Sequence, residues 1–178
     1  MSLPPEEATE LDRLLEANSA YAAARTDDGA TASARPRRRL AVVTCMDARI
    51  DVFAVLGLHL GEAHVLRNAG GRVTEDVLRS LALSTHVLGV RTVVVMQHTK
   101  CGLTGVTDQE LRDRTGADLG FLPIDDHEAA LREDVEQLLA QPYLSLMTTV
   151  AGLIFDVESG EVRPIVTRQR PVSPGPSG

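Results

Sequence analysis

Two short runs rich in β-branched residues, Leu40-Ala41-Val42-Val43-Thr44 and Thr92-Val93-Val94-Val95-Met96-Gln97, both break off at side chains that ligate metals. The first runs into Cys45-Met46-Asp47-Ala48-Arg49, the second into His98-Thr99-Lys100-Cys101-Gly102. Uninterrupted apolar runs of this length belong to strands covered on both faces, as in parallel sheets coated by crossover helices. In such sheets ligand sites gather in the crevice beyond the carboxyl ends of the strands. If the two strands are neighbours, Cys45, His98 and Cys101 arrive at one place although they are far apart in sequence.

Cys45 and Cys101 are the two cysteines of the chain. Two thiolates and an imidazole form a donor set soft enough to select zinc, and three protein ligands leave one tetrahedral position open for water or substrate. Two plainer readings compete: inert buried thiols, and a disulfide. Against the disulfide, residues 1–10 are polar and acidic and lack the apolar segment of a secretory leader. Against inert thiols, Asp47 and Arg49 follow Cys45 closely, and a core thiol needs no such company. The C-x-x-C spacing of dithiol redox proteins is absent.

The remaining pattern predicts a single α/β domain: a central, mostly parallel sheet flanked by helices, with an N-terminal helical arm and a C-terminal antiparallel strand or hairpin. Leu11, Leu14, Leu15 and Ala22 give residues 6–24 one apolar stripe, and residues 25–39 read as a linker. A short helix is expected over 50–56, stopped by Gly57, and a strand over 63–66. The next helix is capped by Thr74, with Glu75 and Asp76 in its first turn and Gly89 beyond its end. Another helix is expected over 126–140, a strand over 148–157, and a turn at Glu158-Ser159-Gly160 into a strand over 161–166. The divisions are therefore 1–39 for the arm and linker, 40–167 for the α/β domain, and 168–178 for a proline-rich disordered tail.

A formal net charge of −7 and the absence of tryptophan argue against nucleic acid as a partner. The basic run Arg35-Pro36-Arg37-Arg38-Arg39 reads as a solvated arm before the first strand. No apolar stretch approaches the ~20 residues needed to cross a bilayer, so neither a membrane nor a nucleic acid is expected as a partner, and the cytoplasm is the expected location.

Cys-x-Asp-x-Arg at 45–49, Arg67-Asn68-Ala69-Gly70 and His-x-x-Cys-Gly at 98–102, in that order, resemble the motifs of the β-class carbonic anhydrases. The likeness is strong over 40–102, with a weaker echo at Gly152-Leu153-Ile154-Phe155-Asp156-Val157, and the short chain looks like the compact prokaryotic branch. It implies one zinc ion per chain on Cys45, His98 and Cys101, and the reversible hydration of carbon dioxide to bicarbonate. It also implies a homodimer, or a dimer of dimers, with N-terminal helices packed onto the partner subunit.

In this reading Asp47 accepts a hydrogen from the attacking oxygen and Arg49 keeps Asp47 ionised and aimed, while Asn68, Gly70 and Gly102 shape the substrate pocket. Because two thiolates cancel the ion's formal charge, activity is expected to favour the alkaline side. Released by Arg49, Asp47 becomes a fourth ligand that closes the site, as in some members of the family. Gly71 stands where many members have Asn, and Leu103 where many have a small residue. Two other functions fit the same motifs: hydrolysis of carbon disulfide or carbonyl sulfide, and a non-catalytic zinc protein in which Asp47 is a permanent ligand. His59, His64, His86 and His127 lack ligand spacing and are expected in surface or core roles.

Overall fold

Leu40–Cys45 (β1) is the strand about which the sheet is organised, because its neighbours are reached in opposite directions. Ala63–Asn68 (β2) pairs with it in parallel on one side and Thr92–His98 (β3) in parallel on the other. Thr149–Phe155 (β4) continues the parallel sheet beyond β3, and Val162–Gln169 (β5) closes it antiparallel to β4, giving the order β2-β1-β3-β4-β5. The predicted mixed α/β sheet is thus observed. A computed structural model describes residues 9–25 and 33–170 of the chain. The chain divides into two units at residues 32 and 33.

Within the first unit, Glu10–Ala24 (α1) starts four residues later than the expected 6–24, and residues 6–8 lie outside the described set. Thr9 is its cap: the Thr9 hydroxyl accepts from the Asp12 N–H at 3.2 Å, and the Thr9 N–H donates to the Asp12 carboxylate at 2.9 Å. No residue of α1 is buried.

In the second unit, the valine runs of β1 and β3 are covered on both faces, with Val94 half-buried. Val43 and Val95 face a core built with Leu81, Leu131, Val135 and Leu138. Val42 and Met96 face a second core with Ile50, Val52, Ile124 and Phe155. Period-2 side-chain placement on a doubly covered sheet explains why the sequence shows continuous rather than alternating hydrophobicity.

Val52–Leu56 (α2) begins after the Asp51 cap and ends at Gly57, whose φ of 60° is the left-handed stop expected of it. Glu75–His86 (α3) is capped by Thr74 as predicted. His127–Ala140 (α5) is capped by Asp126, whose carboxylate accepts from the N–H groups of Glu128 and Ala129. Between them lies Asp108–Thr115 (α4), which the sequence reading did not anticipate. Its signals are present: Thr107 and Glu110 form a capping box, and Gly116 supplies a left-handed end.

β5 runs to Gln169, past the expected 161–166 and into the stretch 168–178 expected as tail; residues 171–178 lie outside the described set. The basic run is exposed in its arginine side chains, yet its backbone is pinned rather than free. The Arg37 N–H donates to Gly61 O at 2.9 Å, and Arg39 O accepts from the N–H groups of Arg91 and Thr92. Among the described residues no helix is long and apolar enough to cross a membrane.

Candidate metal centre

Parallel pairing sets Thr44 opposite Met96, so the strands end together and deliver Cys45 and His98 to the same edge of the sheet. The chain reverses direction after β2 and crosses to the far side of β1, which places this edge at the point where strand order switches. Past His98 the backbone turns sharply through Lys100, a non-glycine residue at φ 55°, and this brings Cys101 back beside Cys45.

The two sulfurs are 4.0 Å apart and both cysteines are free and buried. A disulfide is therefore not formed. The ligand atoms of Cys45, His98 and Cys101 all lie within 4.8 Å of one another, close enough to hold one metal ion. A tetrahedral ion bound to both sulfurs at about 2.3 Å would set them about 3.8 Å apart, close to the observed separation.

The third donor is prepared by its surroundings. His98 Nδ1 lies 2.9 Å from Thr99 O, so Nδ1 carries the hydrogen and Nε2 is left with a lone pair. Nε2 is the one buried side-chain nitrogen or oxygen among the described residues that has no hydrogen-bond partner. A buried acceptor without a donor is costly, and a cation beside the two thiols is what would satisfy it. Burial lowers the pKa of His98 against the opposing pull of Asp47, favouring the neutral ring that a metal requires. Burial, and then the proximity of Cys45, raise the pKa of the Cys101 thiol, so binding of a cation there must displace a proton.

Asp47 and Arg49 form the pair expected of them. Arg49 Nε donates to Asp47 Oδ1 at 2.9 Å, Arg49 Nη2 to Asp47 Oδ2 at 2.7 Å, and the Arg49 backbone N–H to Oδ1 at 2.9 Å. Nη2 also reaches Lys100 O at 3.0 Å, tying the pair to the loop that carries Cys101. These bonds from Arg49 hold the Asp47 carboxyl far below the usual carboxylate range. Asp47 Oδ2 lies 3.8 Å from His98 Nε2, at the edge of the triad but engaged by the guanidinium.

A pocket of about 260 Å³ opens beside the two cysteines of the triad, lined by Cys45, Met46, Asp47, Ala69, Gly70, Cys101, Gly102 and Leu103. Of the predicted pocket residues, Gly70 and Gly102 line it. Asn68 is used differently: its amide donates to Arg72 O at 2.8 Å and accepts from the Arg72 N–H at 3.1 Å, closing the turn behind the pocket. Gly71 shows why a bulkier residue does not fit this turn here, since a Cβ would lie 2.9 Å from both Cys45 N and Thr44 C, at φ +65°. Leu103 fills the space beside Gly70, its Cδ1 2.8 Å from where a Cβ would be.

Two arginines were missed as builders of the site. Arg67 donates to Cys45 O at 3.0 Å, Ile50 O at 3.1 Å and Asp47 O at 2.6 Å, bracing the loop that carries the first motif. Its place in Arg67-Asn68-Ala69-Gly70 was the available signal. Arg72 had none, because its side-chain partners Leu122 O, Glu133 and Asp134 are 50 or more residues away in sequence. The other histidines stand outside the triad: His64 bonds Ser84 and Ala34 O, His86 bonds Tyr143 O, His127 bonds Gln97, and His59 faces Glu62.

A parallel α/β sheet with a Cys-His-Cys cluster at its switch point, flanked by an Asp-Arg pair, describes a class of small metal-site enzymes, and comparison with known proteins narrows it. The carbonic anhydrase family model matches residues 40–123. β-Carbonic anhydrase 1 of Mycobacterium tuberculosis is 38% identical over 136 residues, covering 73% of this chain and 83% of that protein. The crystal structure of a carbonic anhydrase from Streptococcus mutans superposes with a TM-score of 0.81 at 38% identity, over 90% of this chain and 100% of the other. A carbon disulfide hydrolase of Acidithiobacillus thiooxidans is 33% identical over 154 residues, covering 71% of this chain and 77% of that protein. The chain belongs to the β-class carbonic anhydrases, a family of lyases.

Proposed function

We propose that the chain holds one zinc ion on Cys45, His98 and Cys101 and catalyses the reversible hydration of carbon dioxide to bicarbonate and a proton. The observation that carries this reading is the buried, unpartnered His98 Nε2 within reach of two free thiols, with a carboxylate already engaged by arginine at its side. When bound, the ion polarises water and so supplies a nucleophile near neutral pH. Asp47, ionised and acceptor-only, takes the hydrogen of the attacking oxygen and turns its lone pair toward the pocket. Arg49 fixes the direction of that acceptor through two parallel bonds, a geometry that the point charge of a lysine lacks. Ala69, Gly70, Gly102 and Leu103 give the pocket apolar or side-chain-free walls suited to a small linear substrate.

Carbon disulfide or carbonyl sulfide is the second reading, favoured by the 33% identical carbon disulfide hydrolase. Both are linear and apolar and call for the same nucleophile. A permanently closed, non-catalytic site is less well supported, because Asp47 is held by Arg49 and a saturated structural shell has no use for that pair. The free thiols accord with a cytoplasmic location, where they stay reduced. A homodimer, or a dimer of dimers, is proposed as the assembly.

Stopped-flow hydration of carbon dioxide on metal-quantified protein, scanned from about pH 6.5 to 9 to bracket ionisation of metal-activated water, tests the main reading. One zinc per chain with a rate rising toward alkaline pH is expected. Zinc-loaded protein that is inert to carbon dioxide but releases hydrogen sulfide from carbon disulfide would transfer the assignment to the second reading. Inertness to both would leave the closed site.

A further inference from the structure

Asp134 lies on α5 with its side chain 1% exposed, and nothing in the proposed chemistry uses it. A buried carboxylate paired with an arginine is weak evidence of stability, since an apolar residue of similar volume often serves as well. Its partners indicate a different role. Arg72 Nε donates to Asp134 Oδ2 at 2.8 Å and the Val73 N–H donates to Oδ1 at 3.3 Å. Gln97 Nε2 donates to Oδ2 at 3.3 Å. One carboxylate thus grips both the turn after β2 and the end of β3.

Each grip leads to a cysteine or histidine of the triad. On one side, Arg72 follows Gly71, whose Cα packs on the backbone of Thr44 and Cys45. The Asn68 amide clamps the Arg72 backbone at both ends, and Met46 N–H donates to Asn68 O at 2.8 Å. On the other side, Gln97 immediately precedes His98. Because a carboxylate only accepts, Gln97 must turn its NH2 toward Asp134, and its Oε1 then accepts from His127 Nδ1 at 2.9 Å. Arg72 also donates to Leu122 O at 3.1 Å and Glu133 at 3.0 Å, holding the segment before Ile124, which packs beside Gly70.

We propose that Asp134 is a positioning residue for the metal centre: through Arg72 and Gln97 it sets the spacing of Cys45 and His98, and with it the strength of the hold on the ion. The inference rests on the reading of the triad as a metal site. It predicts that breaking the network alters the ion's ligand geometry, although none of its members touches the ion.

The test uses the full chain loaded with cobalt(II), whose visible d–d bands report ligand geometry, together with the rate of cobalt release to a chelator. Asp134→Asn and Gln97→Met are compared with wild type, and Leu138→Ala, a core truncation on the same helix, is the control. Gln97→Met severs the β3 arm alone and keeps the Arg72–Asp134 pair, so it carries the test if Asp134→Asn does not fold. Shifted bands and release roughly 10–100-fold faster, as for lost outer partners of metal ligands, are expected in Asp134→Asn and Gln97→Met, with Leu138→Ala unshifted. Wild-type bands and release in Gln97→Met and in any folded Asp134→Asn would overturn the inference, as would an equal shift in Leu138→Ala. Failure of the wild type to bind cobalt would remove the metal reading as well, whereas normal binding with unaffected variants removes only the role of Asp134.

Discussion

The Arg49 side chain makes two bonds to one carboxylate and a third to Lys100 O, so its loss acts on both the aim of Asp47 and the loop that carries Cys101. Arg49→Ala is expected to lower kcat/KM roughly 10–100-fold, the range for lost outer partners of metal ligands, with zinc content retained; an unchanged rate would sink the pairing. The three donors were legible because their residue types have few other uses in that pattern beside a charged pair. Asn68 was not, since whether an amide faces a pocket or clamps a turn depends on how the chain folds back between it and Arg72. Gly71 makes a sharper test. Gly71→Ala meets backbone atoms 2.9 Å away at a positive φ, while a Cβ at Gly102 meets nothing within 4 Å. The first is expected to cost at least about 1–2 kcal/mol and the second to stay within about 0.5 kcal/mol, both read from urea midpoints.

At the scale of elements, apolar periodicity decided more than chemistry at the ends of helices did. α3 was placed by its Thr74 cap, and α5 by the apolar spacing of Leu131, Val135, Leu138 and Leu139 ahead of Pro142. α4 escaped because Leu111 is the one apolar residue in Asp108–Thr115, too little for a stripe, leaving only its capping box and Gly116 to announce it. β5 outran its predicted end because an edge strand with exposed arginines lacks the hydrophobic run that marked β1 and β3. The Asp126 cap gives a pH test. Bonds from the Ala129 and Glu128 N–H groups lower its pKa below 3.8 in the folded chain, so its contribution is complete above that value and is lost as pH falls through the folded value. Asp126→Asn keeps an acceptor at the cap but does not titrate. Its thermal midpoint should therefore fall less steeply than that of wild type between about pH 5 and 3, the interval around an ordinary carboxylate. The limb stays sloped because Glu110 and Asp156 are lowered by similar bonds; parallel slopes would show that the Asp126 carboxylate adds nothing as an anion.

For the whole molecule, strand order builds the candidate site: reversing the strand order about β1 is what sets Cys45 against His98, and two apolar runs ending at those residues were enough to foresee it. Assembly was foreseeable only as an expectation of the family, because an interface leaves no mark as compact as a ligand motif. The residues that bear on the proposed assembly are in α1, where Leu11, Leu14, Leu15 and Tyr21 are 54–63% exposed along a helix with no buried residue. A helix of 15 residues is marginal in water on its own, so this one requires a surface to cover its stripe. With a second copy as that surface, the pair would be symmetric and each arm would cover the other subunit. Light scattering on the full chain should then give at least twice the mass of one chain, and replacing Leu11, Leu14 and Leu15 together by Gln should lower that mass and the thermal midpoint. A wild-type monomer would reject the homodimer, and an unchanged mass in the triple variant would move the interface away from α1.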